Sequence, residues 1–322
     1  PVVSRPTILL GEPDVAPAAR AALERVGEVV DFGGRADFAQ RLPLADAIVV
    51  GLELRLDAHL LARAERLRAI ATRTSQLRHL DLAEVERRGI AVLSIEPGAG
   101  PLRETTSTAE AAFALLLGLL RNLPWAFDAI KAERWERVRY GGHELRGRTI
   151  GLVGFGRLGR MVAGYATSFG MRVLAHDPYV AAAEIAAAGA EPVTLDALLG
   201  DSDVVSIHCT WSDETRGLIG ARELGLMRPT AVLVNTARGE ITDEAALLDA
   251  LERGAIAGAA VDTLADERPD GSHLVGNPLV GYAREHENLI VLPHLGGATV
   301  EATARTQLFI CERLAAWLEE HA

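Results

Sequence analysis

Cysteine is almost absent. Two in 322 residues, Cys209 and Cys311, cannot build a disulfide scaffold or a Cys-rich zinc site, and no metal is expected. Their scarcity fits a reducing cytosol. Positive charge is also in deficit: 33 Lys and Arg against 44 Asp and Glu leave a net charge of −11. An acidic chain repels phosphate backbones and anionic lipid, and no local basic patch offsets this, so neither nucleic acid nor membrane is expected as a partner. Long apolar runs are missing too. The most apolar stretch, 109–120, falls well short of the roughly 20 residues that span a bilayer. The opening residues lack the basic start and apolar core of an export signal, and a cytoplasmic location is expected. Short-period repeats and low-complexity tracts are absent, apart from an Ala-rich segment near Ala181–Ala188. What remains, 49% apolar and 24% charged residues, is the composition of a globular chain long enough for two domains.

The pattern along the chain is short apolar runs alternating with helical segments. In the first hundred residues the runs are Thr7–Leu10, Glu28–Asp31, Ala47–Gly51, Arg68–Ala71 and Ile90–Ile95. Helix-like segments such as Val15–Arg25 and Asp57–Arg66 lie between them, which implies a parallel sheet covered on both faces. A second series reads Thr149–Val153, Arg172–Ala175, Val204–His208, Ala231–Asn235, Gly258–Val261 and Leu289–Leu292. Six strands with crossovers have the length and order of a dinucleotide-binding fold. Between the two series, Ser107 and Glu110 stand three apart as a capping box, predicting a helix that runs to Leu120 and is buried on most sides. The loop Pro97–Pro101 is a first hinge and Leu292–Gly297 a second, with the last helix, Thr299–Glu319, folding back onto the first domain.

Gly154-Phe155-Gly156-Arg157-Leu158-Gly159 follows the strand Thr149–Val153 and opens a helix. In such a motif the first glycine permits a tight turn, the second lets backbone approach a pyrophosphate and the third lets the helix pack closely. Asp177 ends the next strand, roughly 20 residues on, where an acid binds a ribose 2′-hydroxyl. A carboxylate there repels a 2′-phosphate and favours NAD over NADP. Asp177 also precedes Pro178, so an Asp-Pro turn is the plainer reading of the same residue.

Hydride transfer at a carbinol carbon needs a base, a partner for that base once protonated, and a cation for the substrate acid. Three residues just past strand ends are candidates: Arg238 in Asn235-Thr236-Ala237-Arg238-Gly239, Glu267 after Val261-Asp262-Thr263, and His294 in Leu292-Pro293-His294. In open parallel sheets ligands bind beyond the carboxyl ends of strands, which brings all three within reach of one crevice. His208 is the rival base. Taken singly, each of the three also reads as a packed or solvated residue with no chemical role.

These segments and the glycine motif resemble the D-isomer-specific 2-hydroxyacid dehydrogenases, from about Leu67 to Thr299 and most strongly from Arg148 onward. The resemblance implies an α/β fold of two doubly wound parallel-sheet domains with a cleft between them. One is a flavodoxin-like substrate domain (1–101 and 294–322), the other a Rossmann NAD-binding domain (102–293). It implies that Arg238 binds the substrate carboxylate and carbonyl, that His294 is the acid–base and that Glu267 pairs with it. It assigns the cofactor to Gly154, Gly156, Arg157, Leu158, Gly159, Asp177, His208, Cys209, Thr236, Ala237, Asp262 and Gly297. The expected activity is hydride transfer between NAD(H) and a D-2-hydroxy or 2-keto acid, phosphoglycerate among the candidates, in a homodimer. The alternative is a non-catalytic NAD(H)-sensing protein of the corepressor type. The chain departs from the family at the Gly-X-Gly loop whose amides hold the substrate carboxylate. Thr74-Ser75-Gln76 stands there between Arg73 and Arg78, so either Ser75, Gln76 or an arginine becomes the substrate contact or these residues only cap the strand and face solvent.

Overall fold

The computed structural model describes every residue except 1–4, 13, 52, 53, 75, 76, 78, 97–99, 269 and 322, with Arg35 described without its side chain. The chain divides into two compact units, Pro1–Thr105 with Thr299–Ala322, and Thr106–Ala298.

The first unit holds five parallel strands: β1 (Thr7–Gly11), β2 (Glu28–Val30), β3 (Ala47–Val50), β4 (Ala69–Thr72) and β5 (Ala91–Ser94). Their order is β2-β1-β3-β4-β5, the flavodoxin-like arrangement. The middle strands are apolar at nearly every position because both faces are covered. Ile8, Leu10, Val49 and Ala71 face one layer with Ile310, Cys311 and Leu314. Leu9, Ile48, Val50 and Ile70 face the other with Phe38, Leu42 and Leu61. The period of two along each strand sets that division. The last helix, Val300–Glu320, is capped by the Thr299 hydroxyl on the Ala302 amide at 3.2 Å and packs on this first sheet, as expected.

The second unit holds seven parallel strands: β6 (Thr149–Val153), β7 (Arg172–His176), β8 (Glu191–Pro192), β9 (Val204–Ile207), β10 (Val232–Asn235), β11 (Gly258–Val261) and β12 (Leu289–Val291). The order β12-β11-β10-β9-β6-β7-β8 is the doubly wound order extended by one strand, with its switch point between β6 and β9. Six of the seven were expected. β8 was not: it is two exposed residues ending in proline, pairing only with β7, and carries none of the apolar signal that marks a covered strand.

Strand register decides which loops meet. Val153 pairs with His176 and Ile207, so Gly154, Asp177 and His208 come side by side at one part of the carboxyl edge. Val261 pairs with Asn235 and Val291, so the segments beginning at Thr236, Asp262 and Leu292 come side by side at another.

Two expectations need correction. The capping box at Ser107 is not formed: Thr106 is the cap residue of the helix Ser107–Leu120 and its hydroxyl donates to Glu110 Oε1 at 2.5 Å. Ser107 is instead the first helical residue, its Oγ buried without a partner. The units divide at Thr105/Thr106 and Ala298/Thr299 rather than at 101/102 and 293/294. His294 therefore belongs to the second unit, because its amide donates to the Asp262 carbonyl at 2.8 Å. Among the described residues no single helix is long and apolar enough to cross a membrane.

Candidate active site

The glycine turn is built as the motif requires. Gly154 has φ +95°, a conformation L side chains rarely adopt. A Cβ there would lie 2.4 Å from the Cys209 amide nitrogen, and one at Gly159 would lie 2.3 Å from the Gly154 carbonyl oxygen. The third glycine therefore lets the helix close on the turn itself rather than on the sheet. Gly156 differs: a Cβ there would meet open space, and this residue caps the helix Arg157–Ser168 with no side-chain hydrogen bond of its own. An open cradle in front of a twelve-residue helix is the place a pyrophosphate fits, facing backbone amides and the positive end of the helix dipole. Asp177 is held against this turn, accepting from the Phe155 amide through Oδ2 at 2.8 Å and from the Tyr179 amide through Oδ1 at 2.9 Å. The second bond is the turn read from Asp-Pro; the first ties the carboxylate to the glycine loop. The Asp-Pro turn is thus formed, with the carboxylate placed against the glycine loop.

His208 and Cys209 continue β9 beside Gly154. Burial holds the His208 ring down at about 4 and pushes the Cys209 thiol up to about 11. His208 Nε2 pairs with Ser206 Oγ at 2.9 Å. A histidine that stays neutral and tied to a serine is a poor acid–base at neutral pH, which counts against it as the rival to His294.

At the other part of the edge, Asn235 shapes the loop after β10. Its Oδ1 accepts from the Ala237 amide at 3.0 Å and its Nδ2 donates to the Arg238 carbonyl at 2.9 Å. Thr236 Oγ1 is buried without a partner in this turn. The loop after β11 approaches so closely that a Cβ on Gly239 would fall 2.1 Å from the Leu264 carbonyl carbon. That contact sets Arg238 against the Glu267 loop. Glu267 accepts from the Leu264 amide through Oε1 at 2.9 Å and pairs with His294 Nδ1 through Oε2 at 2.6 Å. Burial pushes its pKa up, but the His294 hydrogen bond and charge, the Leu264 amide and the Arg238 charge outweigh it and hold the carboxyl below the usual range. The stabilisation from this carboxylate is full above the ordinary glutamate range and is lost as pH falls through the lowered value.

His294 itself has φ +55°, a left-handed conformation that costs a non-glycine residue on the order of 1–3 kcal/mol. Asp262, 1% exposed, is close by: its Oδ1 accepts from the Leu295 amide and its Oδ2 from the Gly296 amide, each at 2.7 Å.

The structure thus brings Arg238, Glu267, His294 and Asp262 together within the second unit, and groups Gly154, Gly156, Gly159, Asp177, His208 and Cys209 around the glycine turn. Ser75 and Gln76 lie outside the described residues, as does Arg78. Arg73 is described, its Nε facing Glu12 Oε1 at 3.2 Å. Sequence reading passed over Asn235, Gly239 and Glu244, whose Oε1 accepts from the Ala265 amide at 2.6 Å. Only Asn235 carried a signal, as a residue type that bonds backbone two positions on.

An open doubly wound sheet, a glycine turn at its switch point and an imidazole–carboxylate pair beside an arginine define a dinucleotide-binding α/β protein equipped to move a proton. Comparison with known proteins narrows this. Residues 113–296 match the family described as D-isomer specific 2-hydroxyacid dehydrogenase, NAD binding domain. The D-3-phosphoglycerate dehydrogenase of Mycobacterium tuberculosis is 36% identical over 312 residues, 96% of this chain and 56% of its own length. The glyoxylate reductase of Aeropyrum pernix is 38% identical over 282 residues, 85% of this chain and 80% of its own. Among solved structures, D-lactate dehydrogenase from Aquifex aeolicus complexed with NAD and lactic acid aligns with a TM-score of 0.77 at 28% identity, covering 98% of this chain and 96% of that one. The chain belongs to the D-isomer specific 2-hydroxyacid dehydrogenase family, and its second unit carries that family's NAD binding domain. It spans little more than half the length of the mycobacterial relative.

Gly156→Val separates cradle from scaffold. Because the Cβ added there meets open space, the melting temperature should stay near that of the wild type, while NADH affinity by fluorescence titration should fall by at least about tenfold. An unchanged affinity would place the cofactor elsewhere.

Proposed function

We propose that this chain is an NAD-dependent oxidoreductase that moves a hydride between NAD(H) and a D-2-hydroxy or 2-keto acid. The observation that carries the reading is the His294–Glu267 pair at 2.6 Å with Arg238 close enough for its charge to act on Glu267. NAD supplies the hydride acceptor when bound. With Nδ1–H donated to Glu267, His294 presents its Nε2 lone pair as the base for the substrate hydroxyl proton. Once protonated, the ring faces a carboxylate already in place. Arg238 offers a planar fork of donors matched to a carboxylate or a 2-keto acid, a geometry lysine does not provide.

The named activities of the relatives, on phosphoglycerate and glyoxylate, concern a small 2-hydroxy acid and a small 2-oxo acid, and a phosphoglycerate-like substrate is part of this proposal. Ser75 and Gln76, with Arg238, are proposed as substrate contacts. Thr236, Ala237 and Gly297 are proposed to line the cofactor with Arg157 and Leu158. The sensor alternative draws no support from these relatives. A cytoplasmic setting accords with two cysteines that are both free thiols.

Assembly as a homodimer is part of the same proposal. Leu123, Phe127 and Ile130 repeat on one helical face and are 54%, 65% and 53% exposed, and Trp135 and Val138 beyond them are 83% and 94% exposed. Single exposed apolar residues are ordinary, but an aligned stripe on one face needs a cover, and a second copy supplies an identical stripe.

The decisive experiment follows NADH absorbance with a panel of 2-keto acids. Turnover with any of them is expected; NADH binding without turnover across the panel would instead support the sensor. With a substrate in hand, His294→Ala should lower kcat by at least about 10²-fold. Glu267→Gln, which removes the negative charge facing the ring, should lower kcat while leaving NADH affinity near that of the wild type.

Asp177→Ala should erode discrimination between NAD+ and NADP+, read as the ratio of kcat/KM values; a preserved ratio would rule out the ribose assignment.

Sedimentation velocity should give about twice the 34.3 kDa of one chain and a shift toward the monomer in Phe127→Glu. A wild-type monomer at micromolar concentration would end the dimer proposal.

A further inference from the structure

We propose that Glu244 is a positioning residue of the Glu267–His294 pair, acting through its hold on the peptide group that joins Leu264 to Ala265. This rests on the reading of His294 as the acid–base group.

Glu244 opens the helix Glu244–Glu252, and an acid in a first turn has an ordinary explanation in the helix dipole. Here the capping is done by its neighbour: Asp243 Oδ1 accepts from the Ala245 and Ala246 amides at 3.0 and 3.1 Å. The Glu244 side chain turns instead to the loop after β11, where its Oε1 accepts from the Ala265 amide at 2.6 Å. The Asn277 side chain donates to the same carboxylate. Burial, with the charges of Asp266 and Glu240, holds the carboxyl above the usual range in spite of those two hydrogen bonds. A half-buried carboxyl beside two like charges is unfavourable in itself. What the arrangement secures is the bond to Ala265.

The peptide group between Leu264 and Ala265 is held at two points by one short segment. Gly239 lies against it, since a Cβ there would fall 2.1 Å from the Leu264 carbonyl carbon and 2.2 Å from the Ala265 nitrogen. Glu244, at the other end of the segment, takes its N–H. The preceding amide, that of Leu264, is taken by Glu267 Oε1 at 2.9 Å. Between the held peptide and Glu267 stands Asp266, whose φ of +54° is left-handed and unfavourable for a residue with a side chain. Two glutamates thus hold successive amides, one from outside the loop and the other folded back from within it. The consequence is positional. Glu267 holds His294 Nδ1 at 2.6 Å through its second oxygen only while the loop backbone stays set. Arg238 adjoins Gly239 in the segment that sets it, so Glu244 keys the arginine and the pair to one another.

Three substitutions at this position separate reach from charge. Glu244→Gln keeps an oxygen at the end of a side chain of the same length. Glu244→Asp keeps the charge but stops one methylene short, and Glu244→Ala keeps neither. Hydrogen exchange in the ligand-free protein reads the hold directly. The Ala265 amide should exchange at least about tenfold faster in Glu244→Ala and Glu244→Asp, and within about threefold of the wild type in Glu244→Gln. The His294 ring proton facing Glu267 should follow the same order. In turnover, kcat should fall by about tenfold or more in Glu244→Ala and Glu244→Asp and recover in Glu244→Gln. NADH affinity should stay within about threefold of the wild type in all three, because the glycine turn lies at the other part of the edge. If Glu244→Ala does not fold, Glu244→Asp and Glu244→Gln decide the matter, since both keep a polar side chain at the helix start. The proposal is overturned if Glu244→Asp behaves as the wild type and Glu244→Gln does not, or if Ala265 exchange is the same in every variant. It is equally overturned if the Ala265 amide is freed while the His294 ring proton and kcat are unchanged. The exchange measurements need no turnover. A wild-type protein inactive on every acid would defeat the proposed reaction, and the ring-proton exchange would still decide the positioning role.

Discussion

An imidazole serves as a directed acid–base only when its ring is held, and the hold on His294 is the constraint on which the rest of this site depends. The ring pairs with Glu267 at 2.6 Å, and the backbone beneath it is left-handed. That conformation is unfavourable for histidine by an amount comparable to one or two ordinary hydrogen bonds. It persists because the carbonyl and carboxylate of Asp262 gather the three amides of this left-handed turn. Strain and charge-assisted bonds are thus set against each other at one residue, and the bonds prevail.

That local balance is available only because of strand register. β10, β11 and β12 end level with one another, with Val261 paired to Asn235 and to Val291. The loops that leave these strands therefore start side by side. Gly239 then allows the loop of Arg238 to lie against Leu264 and Ala265, and Asn235 folds its own loop back through its amide side chain. A parallel sheet supplies the common edge. The small residues and amide side chains turn that edge into a site.

The same sheet serves a different need at its other part. Around the glycine turn, backbone approaches backbone, and the one position left open is Gly156. Asp177 is drawn onto the turn by the Phe155 amide. Here the electrostatics are those of amides and a helix end suited to a phosphate, whereas at His294 they are those of paired side chains. Burial sorts the two histidines accordingly: His208, tied to Ser206, is pushed down to about 4, and the ring beside Glu267 keeps its carboxylate partner.

Much of this was legible in the chain itself. Short runs with apolar residues at their centre marked eleven of the twelve strands among the described residues, and the central ones are apolar at nearly every position because both faces are covered. The glycine spacing marked the cofactor turn, since only glycine tolerates those close approaches. Arg238, Glu267 and His294, singled out through their likeness to a family, do lie together past the ends of β10, β11 and β12. Tertiary structure alone decided the rest. β8 has no apolar signal because its two residues are exposed, and Thr106 took the cap expected of Ser107. His294 joined the second unit because Asp262, more than thirty residues earlier, holds its backbone. Such facts arise from which loops meet in space, and local periodicity carries no record of contacts between distant loops.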